Sequence, residues 1–445
     1  MAQEKVSPMV TGYLPDDTPS VLKLIFFALQ QVIVMFPATV MVALLTGFHV
    51  STTIFASGFA TLCFILITRR RIPLYYGSSF SYVAAIVAIT GVKGLGQIAP
   101  DSLISQAQCG IIASGLVSIV AGLVINRFGQ EKIHKVLPPV VTGSVAIVIG
   151  ISLANVAMIG AAANWTAALV TLVATIFFSV YLRGTWGQLP VLFGVIAGYM
   201  TALLQKSIDF GAVASAKIIT APHFTFPTWS PVAILAIMPI AIATIPESTA
   251  HLFQIDLYVN NLARKLGRKK EYPIAGLLGT NLIGDGIGDI VAGAMGGPAG
   301  TNYGENNSVM TISRNFSVSV LMLAAFIAMG LAFLGKLAAV VNTIPGAVIG
   351  GVSIYLFGVI GVQGVALMIA EKVDVFSPRT LAVAATILVI GIGGTFAFPN
   401  GMIPAFGIKL PAIATAAIVG IVLNLIFELI PAAASKAERT PSVTA

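Results

Sequence analysis

Two glutamates, Glu247 and Glu305, stand well inside long apolar stretches of this sequence. A charged side chain at the centre of a bilayer costs at least about 2.5–3.5 kcal/mol on insertion scales, so an acid in such a place marks a functional site by default. Glu247 belongs to Ile245-Pro246-Glu247-Ser248-Thr249-Ala250-His251, and the i, i+4 spacing puts His251 on the same helix face. An acid whose proton affinity depends on burial and on nearby charge is suited to taking up and releasing a proton; a buried Glu-His pair that fixes helix packing is the alternative. Glu305 lies in a segment broken by polar residues and glycine, where packing alone gives no reason for a carboxylate. Asp285 and Asp289 form a second i, i+4 pair in Gly284-Asp285-Gly286-Ile287-Gly288-Asp289. Two acids one turn apart can hold a cation, while the glycines between them suit a close helix crossing. Asp256, nearer the end of its apolar stretch, reads as solvated, and His49, His134 and His223 read as surface residues in or beside loops.

Acids held in apolar surroundings need a scaffold, and the composition says which. Of 445 residues, 57% are hydrophobic and 9% charged, with 44 Gly and a mean hydropathy of +0.97. Soluble domains carry about 25% charged residues, so the fold class is an all-α polytopic membrane protein. Cys63 and Cys109 give neither a disulfide framework nor a Cys-rich metal site. With no G-x-x-x-x-G-K-[ST] loop and no large polar domain, an ATP-driven pump with its motor in the same chain is excluded. No H-E-x-x-H, nucleophile elbow or Ser-His-Asp arrangement is present to suggest an enzyme. A secondary transporter or a channel remains.

Residues 1–21 are polar, with Pro8, Pro15 and Pro19, and lack the basic n-region of a cleavable signal, so the first span is expected to stay in the mature chain. Apolar runs of about 20 residues, divided by Gly, Pro and charge, predict fourteen spans near 22–47, 50–68, 74–92, 106–126, 138–158, 165–182, 188–205, 231–260, 272–294, 301–316, 317–335, 341–361, 379–396 and 410–430. With the N-terminus inside, 19 of the 24 Lys and Arg fall on one side. Basic residues collect in cytoplasmic loops, so both termini are expected in the cytoplasm. The net charge of +8 then reflects orientation and implies no nucleic-acid partner.

Fourteen spans divide into two halves of seven, and an odd number per half requires the second half to be inverted. Leu137-Pro138-Pro139-Val140-Val141-Thr142-Gly143-Ser144-Val145 parallels Ile344-Pro345-Gly346-Ala347-Val348-Ile349-Gly350-Gly351-Val352. Likewise Pro73-Leu74-Tyr75-Tyr76-Gly77-Ser78-Ser79-Phe80 in span 3 answers Pro298-Ala299-Gly300-Thr301-Asn302-Tyr303-Gly304-Glu305-Asn306 in span 10. Short, Gly- and Pro-interrupted segments at corresponding positions of two halves point to a transporter's binding site. Unwound backbone at that depth survives only where protein or a wet cavity satisfies it. Tyr76–Phe80 and Tyr303–Asn306 are therefore predicted to be extended, to face each other and to offer N–H groups to a substrate; close packing of helices at the glycines is the alternative.

The stretch Thr301-Asn302-Tyr303-Gly304-Glu305-Asn306-Asn307-Ser308-Val309-Met310-Thr311-Ile312-Ser313-Arg314 resembles the signature Asn-x-Gly-x4-Thr-[Arg/Lys/Gly] of the nucleobase-ascorbate transporters, the second nucleobase-cation symporter family. The Tyr-Gly-Glu-Asn and the terminal Arg are those of its bacterial uracil permease branch. The Pro73–Phe80 segment, the Glu247 to His251 spacing and Gln30-Gln31 of span 1 fit as well. The signature Gly is here Ser308 and the Thr is Ser313, the family's Gln-His pair is Gln30-Gln31, and Asp285-Gly286 looks more like purine-type members.

The resemblance implies a core domain (residues 1–128, spans 1–4, and 231–336, spans 8–11) and a gate domain (129–230, spans 5–7, and 337–435, spans 12–14), followed by a cytoplasmic tail, 436–445. It implies substrate binding by Glu247, Glu305, Phe80, Gly304, Ser79 and Tyr303, with Gln30, Gln31 and Asn306 in support. Uracil offers two N–H donors and two carbonyls, which match two carboxylates plus the backbone amides of Phe80 and Gly304. Glu247 and His251 would couple transport to a proton, without a cofactor or metal. The implied activity is proton-driven import of a nucleobase, uracil first, by elevator-like alternating access in the cell (plasma or inner) membrane, with a homodimer left open. A purine or xanthine symporter of the same family is the runner-up. An anion exchanger or channel of related architecture would favour a basic or neutral site over two acids.

Overall fold

The computed structural model describes residues 11–92, 94–129, 138–184, 186–405 and 408–430; His134 and the tail 436–445 lie outside the described residues. The elements in chain order are α1 Val21–Thr46, α2 Val50–Ile67, β1 Tyr76–Ser78, α3 Val83–Thr90, α4 Asp101–Phe128, α5 Pro139–Ser152, α6 Ala154–Ala162, α7 Trp165–Tyr181, α8 Pro190–Leu204, α9 Gly211–Ser215, α10 Pro231–Ile237, α11 Ala241–Lys265, α12 Leu278–Met295, β2 Gly300–Asn302, α13 Gly304–Ser313, α14 Val318–Leu331, α15 Gly335–Asn342, α16 Gly346–Ala370, α17 Pro378–Leu388, α18 Gly394–Ala397, β3 Met402–Ala405, β4 Ile408–Pro411 and α19 Ala412–Leu429. Eight helical segments among the described residues are long and apolar enough to cross a membrane, and four shorter apolar helices accompany them. The chain is thus a multi-pass membrane protein.

Helix starts follow local chemistry. Pro139, Pro190, Pro231 and Pro378 occupy first-turn positions, where the missing N–H costs nothing. Asn164, Ser230 and Ser377 accept a backbone N–H at the starts of α7, α10 and α17. Ends are less regular. The run expected at 341–361 continues to Ala370 because Gly358, Gly361 and Gly364 do not break it; the polar pair Glu371-Lys372, with Lys372 at positive φ, does. The run expected at 379–396 contains a π-turn at Val389–Gly393, and the following loop folds into the hairpin β3–β4.

Two antiparallel helix crossings organise the packing. In one, α4 lies on α12: a Cβ at Gly286 would fall 2.3 Å from the Gly115 carbonyl oxygen, and one at Gly279 2.5 Å from that of Gly122. In the other, α5 lies on α16, where a Cβ at Gly364 would fall 2.4 Å from the Gly143 oxygen. Small residues let backbones approach this closely where lipid supplies no hydrophobic drive between helices. Around the first crossing, α2 packs on α12 and α14, and α1 on α14. Around the second, α16 also packs on α6 and α7, α7 on α8, and α17 and α19 on α5.

Between α1, α2, α11 and α12 the chain leaves helical geometry. β1 and β2 pair antiparallel, with Tyr76 opposite Asn302, Gly77 opposite Thr301 and Ser78 opposite Gly300. The second extended piece is thus Gly300–Asn302, and residues 304–306, expected to be extended, already belong to α13. The flanking amides also pair, Ser79 N to Ala299 O at 3.1 Å and Tyr303 N to Tyr75 O at 2.9 Å. Gly77 is required at the centre, because a Cβ there would sit 2.2 Å from the Tyr303 ring.

The crossing at Gly286 predicts a graded result. Gly286→Ala forces a methyl into the Gly115 backbone and should cost about 1–3 kcal/mol, the usual overpacking penalty. Gly330→Ala in α14 meets nothing within 4 Å and should be neutral or stabilising, since Ala exceeds Gly by about 1 kcal/mol in a helix. Thermal unfolding of the detergent-purified variants checks both, and equal melting temperatures would contradict the crossing.

Candidate functional site

Each strand hands the chain to a helix start, and because the strands run antiparallel the two starts lie at opposite ends of the short ladder. After β1, Ser79 caps the turn Phe80–Tyr82 by accepting the Ser81 N–H on its Oγ at 3.2 Å, and α3 continues from Val83. After β2, Tyr303 in extended geometry opens α13 at Gly304. First-turn N–H groups have no intrahelical acceptor, so Phe80 and Gly304 present amides at the positive ends of two half-helices.

The acids arrive from different elements. Glu247 follows Pro246 within α11 and accepts a hydrogen bond from the Ser81 hydroxyl at 3.3 Å on Oε2. Glu305 is the second residue of α13; it is solvent-accessible although surrounded by protein, whereas Asn306 and Asn307 beside it are fully buried. The helices that carry the two acids, α11 and α13, pack against each other. The ion pairs found among the described residues all lie elsewhere. Carboxylates and first-turn amides on these adjoining elements provide acceptors and donors for hydrogen bonds.

His251 does not bond Glu247. The shared helix face holds, but the side chains diverge: Glu247 is taken by Ser81, while the His251 ring lies against the start of α13. A Cβ at residue 304 would fall 2.9 Å from His251 Nε2, so glycine is what lets the imidazole lie against the start of α13.

Behind the helix starts stands a hydrogen-bonded shell. Asn306 Nδ2 donates to Gln31 Oε1 at 2.8 Å and to the Gln31 carbonyl at 3.1 Å, fixing α13 to α1; Gln30 precedes it, half-buried. The Tyr303 hydroxyl bonds Thr39 at 2.8 Å, and its ring stacks parallel to Tyr75 at 6.4 Å, so this side chain serves the strand pair. Ser308 and Ser313 bond carbonyls of their own helix, Gly304 and Val309. Asp289 Oδ1 accepts the Tyr76 hydroxyl at 2.5 Å and the Gly300 N–H at 2.8 Å. Asp285 accepts the Ser248 hydroxyl, and Asn302 Nδ2 at 3.3 Å. These contacts tie both aspartates to the strand pair while their glycines make the close crossing, the packing alternative for this motif.

Residues the sequence left unassigned complete the shell. Ser57 and Thr61 of α2 donate to the Tyr76 carbonyl at 3.0 and 2.9 Å, and Thr61 accepts the Tyr76 N–H at 3.1 Å. Asn281 donates to Ser248 at 2.7 Å. A signal existed for each: hydroxyls at i, i+4 in Ser57 and Thr61, and Asn281 one turn before Asp285 on the same face.

The turn Phe80–Tyr82 and α11 both touch α5, and α13 touches the turn Trp186–Gln188 that precedes α8. The site therefore lies where elements around the α4–α12 crossing meet those around the α5–α16 crossing. Further along this seam a cavity of about 500 Å³ opens between α3 and the α5–α6 region, lined by Ala84, Ala88, Ser152, Asn155 and Thr395.

The chain is 38% identical over 437 residues to a uracil permease of Bacillus caldolyticus, covering 94% of this chain and 95% of that one. It is 36% identical over 430 residues to a uracil permease of Bacillus subtilis (strain 168), covering 92% and 94%. Among solved structures, the murine Solute Carrier 26 family member A9 anion transporter in the inward-facing state superposes with a TM-score of 0.62 at 11% identity, over 96% of this chain and 73% of that one; at this identity the likeness concerns the fold. The Permease family model matches residues 22–400, and with these relatives it shows that the chain belongs to the nucleobase-ascorbate transporter family, whose members are transporters and not enzymes.

Proposed function

We propose that this nucleobase transporter imports uracil together with protons. The observation that carries the reading is the meeting of Glu247 and Glu305, from separate helices, with the first-turn amides of Phe80 and Gly304. Uracil's two ring N–H groups would donate to the carboxylates, and its carbonyls would accept the amides. Ser79 and Tyr303 shape the two helix starts, and Gln30, Gln31 and Asn306 hold α13 in place. The names of the relatives support uracil. A purine carrier needs a larger ring system at the same helix starts, and two acids argue against an anion.

In the proposed arrangement fourteen spans form a 7+7 inverted repeat, with Pro138-Pro139 of α5 and Pro345-Gly346 of α16 as equivalent helix starts. The core domain, 1–128 with 231–336, carries the site past the gate domain, 129–230 with 337–435. The seam between the two sets of packed helices supports this division, and the distribution of basic residues supports cytoplasmic termini. Glu247 and His251 carry the coupling. Because His251 lies against Gly304, its protonation would act on the start of α13 rather than on Glu247 directly.

Glu305→Gln replaces an acceptor-only carboxylate by an amide that brings two donors, so uracil binding to purified protein should weaken at least tenfold, about 1.4 kcal/mol. Unchanged binding would remove Glu305 from the site.

Glu247→Gln, which cannot release a proton, should abolish accumulation driven by a pH gradient in proteoliposomes while exchange of labelled for unlabelled uracil survives in part. His251→Ala should shift the pH at which uptake is fastest. If Glu247 and His251 served only packing, both variants would lower the yield of folded protein and leave the coupling of the remainder intact.

A further inference from the structure

At the end of α1 remote from the N-terminus, three chain segments bring together side chains that the transport site does not use. His49 is the residue before α2, Asp101 is the first residue of α4, and His223 lies in the irregular stretch 216–230 that leads into α10. Both histidines turn Nε2 toward one carboxylate: His49 Nε2 stands 3.3 Å from Asp101 Oδ1, and His223 Nε2 2.8 Å from Asp101 Oδ2. The imidazole centroids are 4.3 Å apart, and the three ligating atoms lie within 4.8 Å of one another.

The backbone beneath them is fixed independently. The Ala99 N–H bonds the Gly47 carbonyl at 2.8 Å, and Thr52 donates to the His223 carbonyl at 2.6 Å. The stretch after His223 is held by Gln108, which donates to the Thr225 carbonyl at 2.8 Å and accepts the Thr225 hydroxyl at 2.9 Å. Positions of this kind cost little ordering when a ligand binds.

We infer that His49, Asp101 and His223 form a binding site for a divalent transition-metal cation of the Zn²⁺ class, with two imidazole nitrogens and one carboxylate oxygen as protein ligands. Zn²⁺ takes such donors at about 2.0–2.2 Å in a tetrahedral shell, which spaces ligand atoms roughly 3.3 Å apart; the two His–Asp separations, 3.3 and 2.8 Å, are near this, and one atom from each residue falls within 4.8 Å of the others. Imidazole with one carboxylate selects this class over Mg²⁺ or Ca²⁺, which take oxygen shells. Asp101 and His223 are half exposed, with side-chain exposures of 55% and 53%, leaving the fourth position to water and a path for entry. A bound ion would replace the imidazole protons now aimed at Asp101 and would clamp the 216–230 stretch to α2 and α4.

The test uses full-length protein purified without a histidine tag. Zn²⁺ titrated calorimetrically should bind at one equivalent per chain and raise the melting temperature, and Co²⁺ should develop the visible absorption bands of a tetrahedral site. His223→Gln and Asp101→Asn should each weaken Zn²⁺ binding at least tenfold and remove the Co²⁺ bands, with the metal-free melting temperature little changed. Should one variant be poorly folded, the other decides, since the two residues come from different segments. Absence of binding to the wild type, or equal binding by well-folded variants, overturns the site. The outcome is independent of the transported substrate.

Discussion

The structure depends on how an interrupted backbone is satisfied at membrane depth. Inside the hydrocarbon region a free N–H or C=O costs several kcal/mol, and β1 with β2 exposes a full set on two short strands. Half are met by the strands' own pairing. The remainder need donors and acceptors from neighbours, and the sequence places them there: Ser57 and Thr61 on the Tyr76 edge, Asp289 on the Gly300 amide. In the proposed site the two helix starts would then leave the Phe80 and Gly304 amides for a ligand, because the unwound segments behind them are already paired.

That requirement explains why four acids sit in this part of an apolar protein. Asp285 and Asp289 work as acceptors for the backbone and for side chains that order it, and the glycines beside them serve the crossing of α12 with α4. Glu247 and Glu305 are different. One holds a single hydroxyl and the other faces accessible space, so neither is used up by the scaffold. A buried polar network that is only partly satisfied is costly, and a ligand with two donors is what would complete this one. The structural pair and the open pair are distinguished by their partners, not by their residue type.

Much of this was legible in the sequence. Apolar run length located the membrane helices, since a span needs about 20 such residues, and the paired glycine- and proline-rich segments located the break. Periodicity placed Asp285 and Asp289 on one face. It was silent on which of two i, i+4 partners would touch, so Glu247 and His251 shared a face without bonding. The second strand was misplaced by three residues because Tyr303-Gly304-Glu305 reads equally as extended chain or as a helix start. Helical hydroxyls usually bond their own i−4 carbonyl, as Thr61 also does to Ser57, so the i, i+4 spacing of Ser57 and Thr61 marked a shared polar face without saying that it would serve a strand. His49 and His223 lie 174 positions apart, and only the tertiary fold brings them to one aspartate.

The departure at residue 31 bears on coupling. Where the resembling family has His after Gln in the first span, this chain has Gln31, whose carbonyl accepts from Asn306 at 2.8 Å. A neutral imidazole could accept the same bond through one nitrogen, so the geometry of α13 against α1 survives the exchange. What is lost is a titratable group, since an amide neither gains nor loses a proton near neutral pH. In the proposed mechanism, proton exchange beside α13 would fall to Glu247, His251 and Glu305: Glu305 belongs to one helix start, His251 lies against it and Glu247 reaches the other through Ser81. A change in protonation at any of them alters the hydrogen-bond partners presented to a ligand at once, without a relay through α1. Under the proposed coupling, the substitution would make proton exchange more local.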